Sequence, residues 1–172
     1  MTKVVRTVVA DGECHLIECA VAADGSAPAL EFLNQLRKGV RETYPVDIDS
    51  DAQVQAYGII LARCEYLARY GEFASRNRKH YNQLWDGIWE LKHEELRLSF
   101  FDTAGDGTYS PKIAESDYWG NAPRLPIFDE FIRLGRGFPK PRTMRWTPEA
   151  EIRFALRLRE EDLEHDKADL AY

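Results

Sequence analysis

The amino-acid sequence predicts an α+β protein in which a small, mostly antiparallel sheet packs against an N-terminal helical hairpin and a C-terminal helix follows. Three features support this fold. They are two stretches of helical apolar spacing between residues 30 and 68, alternating strand patterns from Gly87 onward, and a helix-start signal at Thr147-Pro148. With 172 residues, 44% of them hydrophobic, the chain is long enough for one domain spanning residues 1–172.

The N-terminal residues predict a β-hairpin ahead of the helices. Residues 4–10 are apolar and rich in β-branched side chains, and residues 14–22 alternate in polarity. Asp11-Gly12 between them is a two-residue hairpin-turn signal. We therefore expect two short antiparallel strands here.

Two helices are expected next, and they are expected to lie on the sheet as a hairpin. The first ends at Tyr44-Pro45, and the second is capped by Ser50 or Asp51 and ends at Gly71. The predicted buried stripes are Leu30, Leu33, Leu36 and Val40 in the first helix and Val54, Tyr57, Leu61, Cys64 and Ala68 in the second.

Three strands are predicted after Gly87. In the first strand Glu90 and Lys92 share one face, and in the second strand Arg97 lies on the face that need not be core. The third strand begins near residues 128–132 and ends at residues 136–138. Glu90 would repel RNA if it were exposed, because it lies on the same face of its strand as Lys92.

A long insertion, at about residues 102–126, separates the second of these strands from the third. It contains several glycines and prolines and is far longer than the ~2–5 residues of an ordinary hairpin loop. An ordered lid or partner surface and a flexible insertion both fit the composition. The residues leave this choice open.

Charge is unevenly distributed in this anionic chain, whose net charge is −6. Residues 124–159 carry nine Lys or Arg against four acids, or +5, whereas residues 160–172 carry six acids against one lysine, or −5. Thr147 and Pro148 are expected to open a helix within the basic region, and the acidic tail, at about residues 160–172, is expected to fray or to fold over a basic surface. The basic region keeps nucleic-acid binding possible despite the net charge.

The sequence also predicts a cytoplasmic protein that does not enter a membrane. No apolar run approaches the ~18 residues of a membrane span, and charged residues interrupt the first twenty positions. Cys14, Cys19 and Cys64 form no CxxC motif and no Cys/His cluster, so we expect reduced structural thiols. Nothing in the pattern predicts a metal or another cofactor.

The order of the later elements resembles a known family. This order resembles that of the RelE/ParE superfamily of bacterial toxins, especially its phage-derived HigB-like branch. It consists of two helices, a strand that begins at a glycine, a strand that carries an arginine, a third strand that ends in a basic loop, and a helix that begins at Thr-Pro. The resemblance covers about residues 14–101 and 127–160, and it implies a RelE-like fold. The segments that carry it are Leu84–Lys92, Leu96–Phe101, Phe131–Arg142 and Thr147-Pro148.

The resemblance implies a catalytic group made of basic side chains. RNA cleavage through the 2′-hydroxyl requires removal of its proton, stabilisation of the phosphate charge and relief of the leaving oxygen. Arg97 stands where the family has an arginine, and its guanidinium offers a bidentate fork for phosphate. A surface arginine paired with Glu94 or Glu95 is the alternative. The implied catalytic residues are Arg97, Lys92, Lys140 and Arg142.

Further basic residues are candidates for RNA binding, with solvated loops as the alternative. His93 is able to exchange protons near neutral pH, but it also fits an ordinary turn position. The general base and general acid stay open. The candidate RNA-binding residues are Arg78, Lys79, Arg133, Arg136 and Arg145.

The implied function is that of a toxin in a type II toxin-antitoxin system, acting as a ribosome-dependent mRNA endonuclease. Its implied partners are the ribosome, mRNA and a cognate antitoxin of the helix-turn-helix class. Two alternatives stay open: a ParE-like toxin that inhibits gyrase, and a catalytically silent binding module on the same scaffold. Codon preference and oligomeric state are not determined by the pattern.

Overall fold

A computed structural model of the chain describes residues 3–73, 80–112 and 125–171. Two strands come first, followed by two helices, four more strands and a long C-terminal helix. In chain order they are β1 (Val8–Asp11), β2 (Leu16–Cys19), α1 (Pro28–Lys38), α2 (Ser50–Tyr70), β3 (Tyr81–Gln83), β4 (Trp89–His93), β5 (Leu96–Thr103), β6 (Phe131–Pro139) and α3 (Glu149–Leu170).

The strands form one six-stranded mixed sheet in the order β1-β2-β6-β5-β4-β3. Strands β2 and β6 are parallel, and the other neighbours are antiparallel. The RelE-like arrangement expected above, a mostly antiparallel sheet packed against an N-terminal helical hairpin, is therefore wrong for this chain. The N-terminal residues pair as the predicted β-hairpin, and this hairpin extends the sheet beyond β6, so the α+β fold begins with strands.

Helices α1 and α2 cover one face of the sheet. Phe32 of α1 and Ile60 of α2 are buried in one apolar core with Trp89, Leu98 and Phe100 of the strands. Helix α2 ends at Gly71, as expected, whereas α1 ends at Gly39 and not at Tyr44-Pro45; both glycines have positive φ. Helix α2 is capped by the Asp49 carboxylate rather than by Ser50 or Asp51, and this carboxylate accepts a hydrogen bond from the backbone N–H of Ala52 at 2.8 Å.

The buried face of α2 differs from the predicted stripe. Ala56 and Ile60 are buried, whereas Val54 is 47% exposed and Leu61 is only partly buried. Small and apolar residues occur on both sides of this helix, so the spacing of hydrophobic residues alone does not identify the face that packs against the sheet. Only Cys64 and Ala68 of the predicted stripe are buried.

Helix α3 covers the opposite face of the sheet. Ala155 and Leu158 of this helix pack against Ile88 and Phe101 of the sheet region and against Ala20, which follows β2. The acidic tail predicted at residues 160–172 largely belongs to this helix, which runs to Leu170. Among the described residues no helix is both long and apolar enough to cross a membrane.

A buried cluster of charges fixes α3 to the sheet. Arg133 of β6 is 2% exposed, and its guanidinium contacts Glu18 of β2 (Nε to Oε1, 2.7 Å) and Asp162 and Asp166 of α3 (2.5 and 3.0 Å from Nη1). Arg6 contacts the same two aspartates at 2.9 and 3.1 Å. Burial alone would lower the pKa of Arg133, but the surrounding carboxylates raise it. The acidic end of α3 is thus held against basic residues rather than frayed.

We expect Asp162→Asn to destabilise the fold by roughly 3–5 kcal/mol, because losing one partner leaves buried guanidinium charge poorly compensated. The loss is measured as the change in free energy of unfolding from urea titrations. The matched control is Glu164→Gln on the same helix, whose exposed pair with Lys167 should change stability by less than about 1 kcal/mol. Equal stability of both variants would contradict a structural role for the cluster.

Candidate functional site

The site lies where the β4–β5 turn meets the end of β6. Antiparallel pairing sets Lys92 opposite Arg97 and Leu96 opposite Pro139, so the chain leaving β6 passes beside the turn. The backbone N–H of Lys140 donates to the carbonyl of Glu95 at 2.8 Å and continues this contact past the end of the strand. Basic residues distant in sequence are thereby brought together.

A cleft of about 450 Å³ opens at this junction. It contains four cationic side chains, two imidazoles and one carboxylate, so its charged groups sum to +3 with both histidines neutral. A concave surface of this sign attracts anions such as phosphate. The lining residues are Arg63, His80, Lys92, His93, Glu94, Arg97 and Arg142.

Arg97 is held rigidly, and its buried Nε is left without a hydrogen-bond partner among the described residues. Its Nη1 donates to the carbonyl oxygens of Glu94 and Leu96 at 2.7 and 2.8 Å. Its Nε lies 3.9 Å from the nearest oxygen of Glu90 and has no hydrogen-bond partner among the described residues. Burial lowers the pKa of Arg97, although the Glu90 carboxylate opposes this effect. The buried Nε therefore lacks an acceptor among the described residues, whereas the guanidinium as a whole contributes to the lining of the cleft.

Glu90 is fully buried and serves as the counter-charge behind Arg97. The Thr147 hydroxyl lies 3.0 and 2.9 Å from the two carboxylate oxygens of Glu90. Thr147 was expected to cap α3, but α3 begins at Glu149 without a side-chain cap, and the hydroxyl is used by Glu90 instead. Because Glu90 is not exposed, the repulsion of RNA considered above does not arise at the surface.

Lys140 lies in the same charged environment as Arg97. It is 9% exposed, and its Nζ is 3.5 Å from the carbonyl oxygen of Arg145. Burial lowers the pKa of Lys140, the positive charge of Arg97 lowers it further, and Glu90 opposes both effects. Lys140 therefore adds positive charge behind Arg97 and does not line the cleft itself.

Arg142 lies at the rim of the cleft and is held only loosely. Its Nη2 contacts the Glu94 carboxylate at 2.9 Å, and its backbone N–H donates to Glu95 at 3.2 Å. The Arg142 and Glu94 side chains are 76% and 65% exposed, so their attraction is screened by water. A phosphate group is able to displace Glu94 from this guanidinium.

Two histidines, His80 and His93, lie in the cleft. Burial lowers the pKa of His93, and the neighbouring charges of Arg63 and His80 lower it further against the opposing effect of Glu94. His93 is consequently neutral at pH 7 and able to accept a proton. His80 comes directly after the undescribed segment 74–79, and the backbone N–H of Lys92 donates to its carbonyl at 2.8 Å.

The remaining predicted residues lie apart from the cleft or outside the described chain. Arg133 is enclosed in the buried charge cluster. Arg136 contacts α3, where its guanidinium lies 4.2 Å from the Phe154 ring centroid and 3.4 Å from a Glu151 oxygen. Arg78 and Lys79 lie outside the described residues. The cleft thus combines Arg97, Lys92 and Arg142 from the prediction with Arg63 and His80, which sequence reasoning did not assign to it.

The described part of the chain contains no assembled metal site and no buried thiol with a lowered pKa. No group of three or more His, Cys, Asp or Glu side chains there is placed to hold a metal ion. All three cysteines are free, and burial raises the pKa of Cys19 and Cys64 to about 12. These two thiols are therefore protonated and unreactive at neutral pH.

Comparison with protein-family models, curated proteins and solved structures finds no match to this chain.

If the cleft binds anions, pyrophosphate should raise the pKa of His93, because a bound anion stabilises the imidazolium form. The measurement is an NMR titration of the histidine ring signals, in which the pKa of His93 should begin below about 6.5 and rise when pyrophosphate is added. The control is His15, whose pKa burial also lowers, but which lies beside Asp129 at the far end of β6. Identical behaviour of both rings would contradict an anion site at the cleft.

Proposed function

We propose that this protein is an endoribonuclease that cleaves mRNA by attack of a 2′-hydroxyl on the adjacent phosphate, and that it is the toxin of a type II toxin-antitoxin system. The observation that carries the proposal is the convergence of four cationic side chains and two imidazoles in one cleft. Phosphodiester transfer requires stabilisation of anionic oxygens together with proton exchange, and the cleft contains groups for both tasks.

The proposed roles follow from protonation state and position. The guanidinium of Arg97 stabilises the charge of the phosphate, and Lys92 and Arg142 add positive charge. Neutral His93 takes the proton of the 2′-hydroxyl as its oxygen bonds to phosphorus. The bond from phosphorus to the 5′-oxygen breaks, and that oxygen takes up a proton in the cleft, where His80 is the second imidazole. A 2′,3′-cyclic phosphate and a 5′-hydroxyl end result.

The cellular setting of this proposal rests on the resemblance of the arginine-bearing strand and the following basic loop to RelE/ParE toxins. Strand β1 lies outside that likeness, and the proposal depends on residues 84–101 and 131–148 rather than on the whole fold. In this setting the chain acts in the cytoplasm on ribosome-bound message. A cognate antitoxin of the helix-turn-helix class neutralises it.

The proposal predicts that Arg97→Ala lowers message cleavage by about 10²–10³-fold, the usual effect of losing one group that stabilises a transition-state oxyanion. Induction of the wild type should arrest growth and cut ribosome-bound message, and the variant should do neither at the same protein level. Arg153→Ala serves as the matched control, because Arg153 is an exposed arginine paired with Glu149 on α3.

Thermal unfolding of purified Arg97→Ala and Arg97→Lys proteins separates loss of chemistry from loss of fold. A folded Arg97→Ala protein that is as toxic as wild type would remove Arg97 from the mechanism. Growth arrest with intact message and altered DNA supercoiling would contradict the nuclease and favour gyrase inhibition. Absence of arrest by the wild type, with no cleavage on ribosomes, would favour a silent binding module.

A further inference from the structure

The segment between β6 and α3 presents an aromatic side chain to solvent among basic residues. All residues from Arg142 to Trp146 are exposed, with Trp146 at 72% and Met144 at 41%. Most of the surface of a tryptophan side chain is usually buried in a folded protein, so a solvent-exposed indole ring in a basic loop indicates a binding surface. Aromatic rings interleaved with arginines are typical of surfaces that bind single-stranded nucleic acid.

The loop that carries Trp146 is held in place on both sides of the ring. The backbone N–H of Met144 donates to the carbonyl of Pro141 at 2.9 Å, and the Lys140 ammonium contacts the carbonyl of Arg145. The next residue, Thr147, is bound to buried Glu90. Because the backbone of the loop is already fixed, less conformational entropy is lost when a ligand binds to the ring.

Arg145 adds a second planar group to this surface. Its guanidinium carbon lies 5.0 Å from the centroid of the Trp146 ring, within the range of a cation–π contact. Arginine in this position is able to neutralise a phosphate while the indole face meets a base. The pair therefore combines the two interactions that single-stranded RNA offers.

Both ends of the loop adjoin the cleft. Arg142 at its start lines the cleft directly. Thr147 at its end binds Glu90, whose carboxylate lies 3.9 Å from Nε of Arg97, another lining residue. The loop that carries Trp146 therefore adjoins the cleft through the residues at both of its ends.

We propose that Trp146, together with Arg145, forms a stacking platform for an unpaired base of single-stranded RNA next to the phosphate held in the cleft. This inference rests on the proposed function, and it adds a specificity-determining position that the motif resemblance does not assign. A base in a duplex has its faces covered by its neighbours, so the platform selects single-stranded substrate.

The test measures binding of two uncleavable probes of equal length, a single-stranded 2′-O-methyl RNA oligonucleotide and an abasic oligonucleotide with the same phosphates. Trp146→Ala should weaken binding of the base-bearing probe by roughly 5- to 150-fold, the range for loss of one base stacked on an aromatic ring. Its affinity for the abasic probe should stay at the wild-type value. Trp146→Phe should retain most of the base-dependent affinity.

Trp85→Ala is the matched control, because Trp85 is also exposed, at 51%, but lies in the turn between β3 and β4. It should bind both probes as the wild type does. The inference is overturned if Trp146→Ala binds the base-bearing probe normally, as expected were the ring a protein contact, or if it loses affinity for both probes equally. Base-dependent binding through Trp146 without cleavage of any message would refute the nuclease and leave the stacking platform standing.

Discussion

The antiparallel pairing of β4, β5 and β6 is the constraint on which the proposed site depends. It sets Lys92 opposite Arg97 and brings the chain after Pro139 to the β4–β5 turn. The hydrogen bond from Lys140 to Glu95 then carries the loop past the turn. The register of this pairing is restrained on both faces of the sheet, because a slip of one residue would exchange the core side chains with the charged ones.

The number of carboxylates around each arginine decides what that arginine can do. Arg133 meets Glu18, Asp162 and Asp166 and is fully enclosed, so it holds α3 against the sheet. Arg97 has one carboxylate near its Nε, Glu90, and that contact is long. A guanidinium that is positioned but incompletely paired is suited to bind a further anion, which explains how a chain with net charge −6 presents a cationic cleft.

Local patterns predicted much of the fold. Period-two alternation and Gly87 identified β4 and β5, and the apolar spacing identified both helices that cover the first face. The predicted overall arrangement was wrong at the N-terminus, because it placed a helical hairpin there and did not include the N-terminal strands in the sheet. The parallel pairing of β2 with β6 links residues more than a hundred positions apart, and no local pattern encodes it.

The site was predictable only in part for the same reason. Arg97, Lys92 and Arg142 follow from strand alternation and the basic loop, but Arg63 reaches the cleft from α2 through the packing of that helix on the sheet. Thr147 has the sequence context of a helix cap, and only the buried position of Glu90 explains why its hydroxyl is used elsewhere. Long-range burial of charge therefore decided these roles.

The chemistry of the RNA ends is the most direct test of the account. Translating ribosomes are incubated with the purified protein, and the cleaved message is analysed by mass spectrometry of its terminal nucleotides. A 2′,3′-cyclic phosphate on one fragment and a 5′-hydroxyl on the other are the expected products of 2′-hydroxyl attack. Fragments ending in a 3′-hydroxyl and a 5′-phosphate, or intact message, would contradict the proposed mechanism.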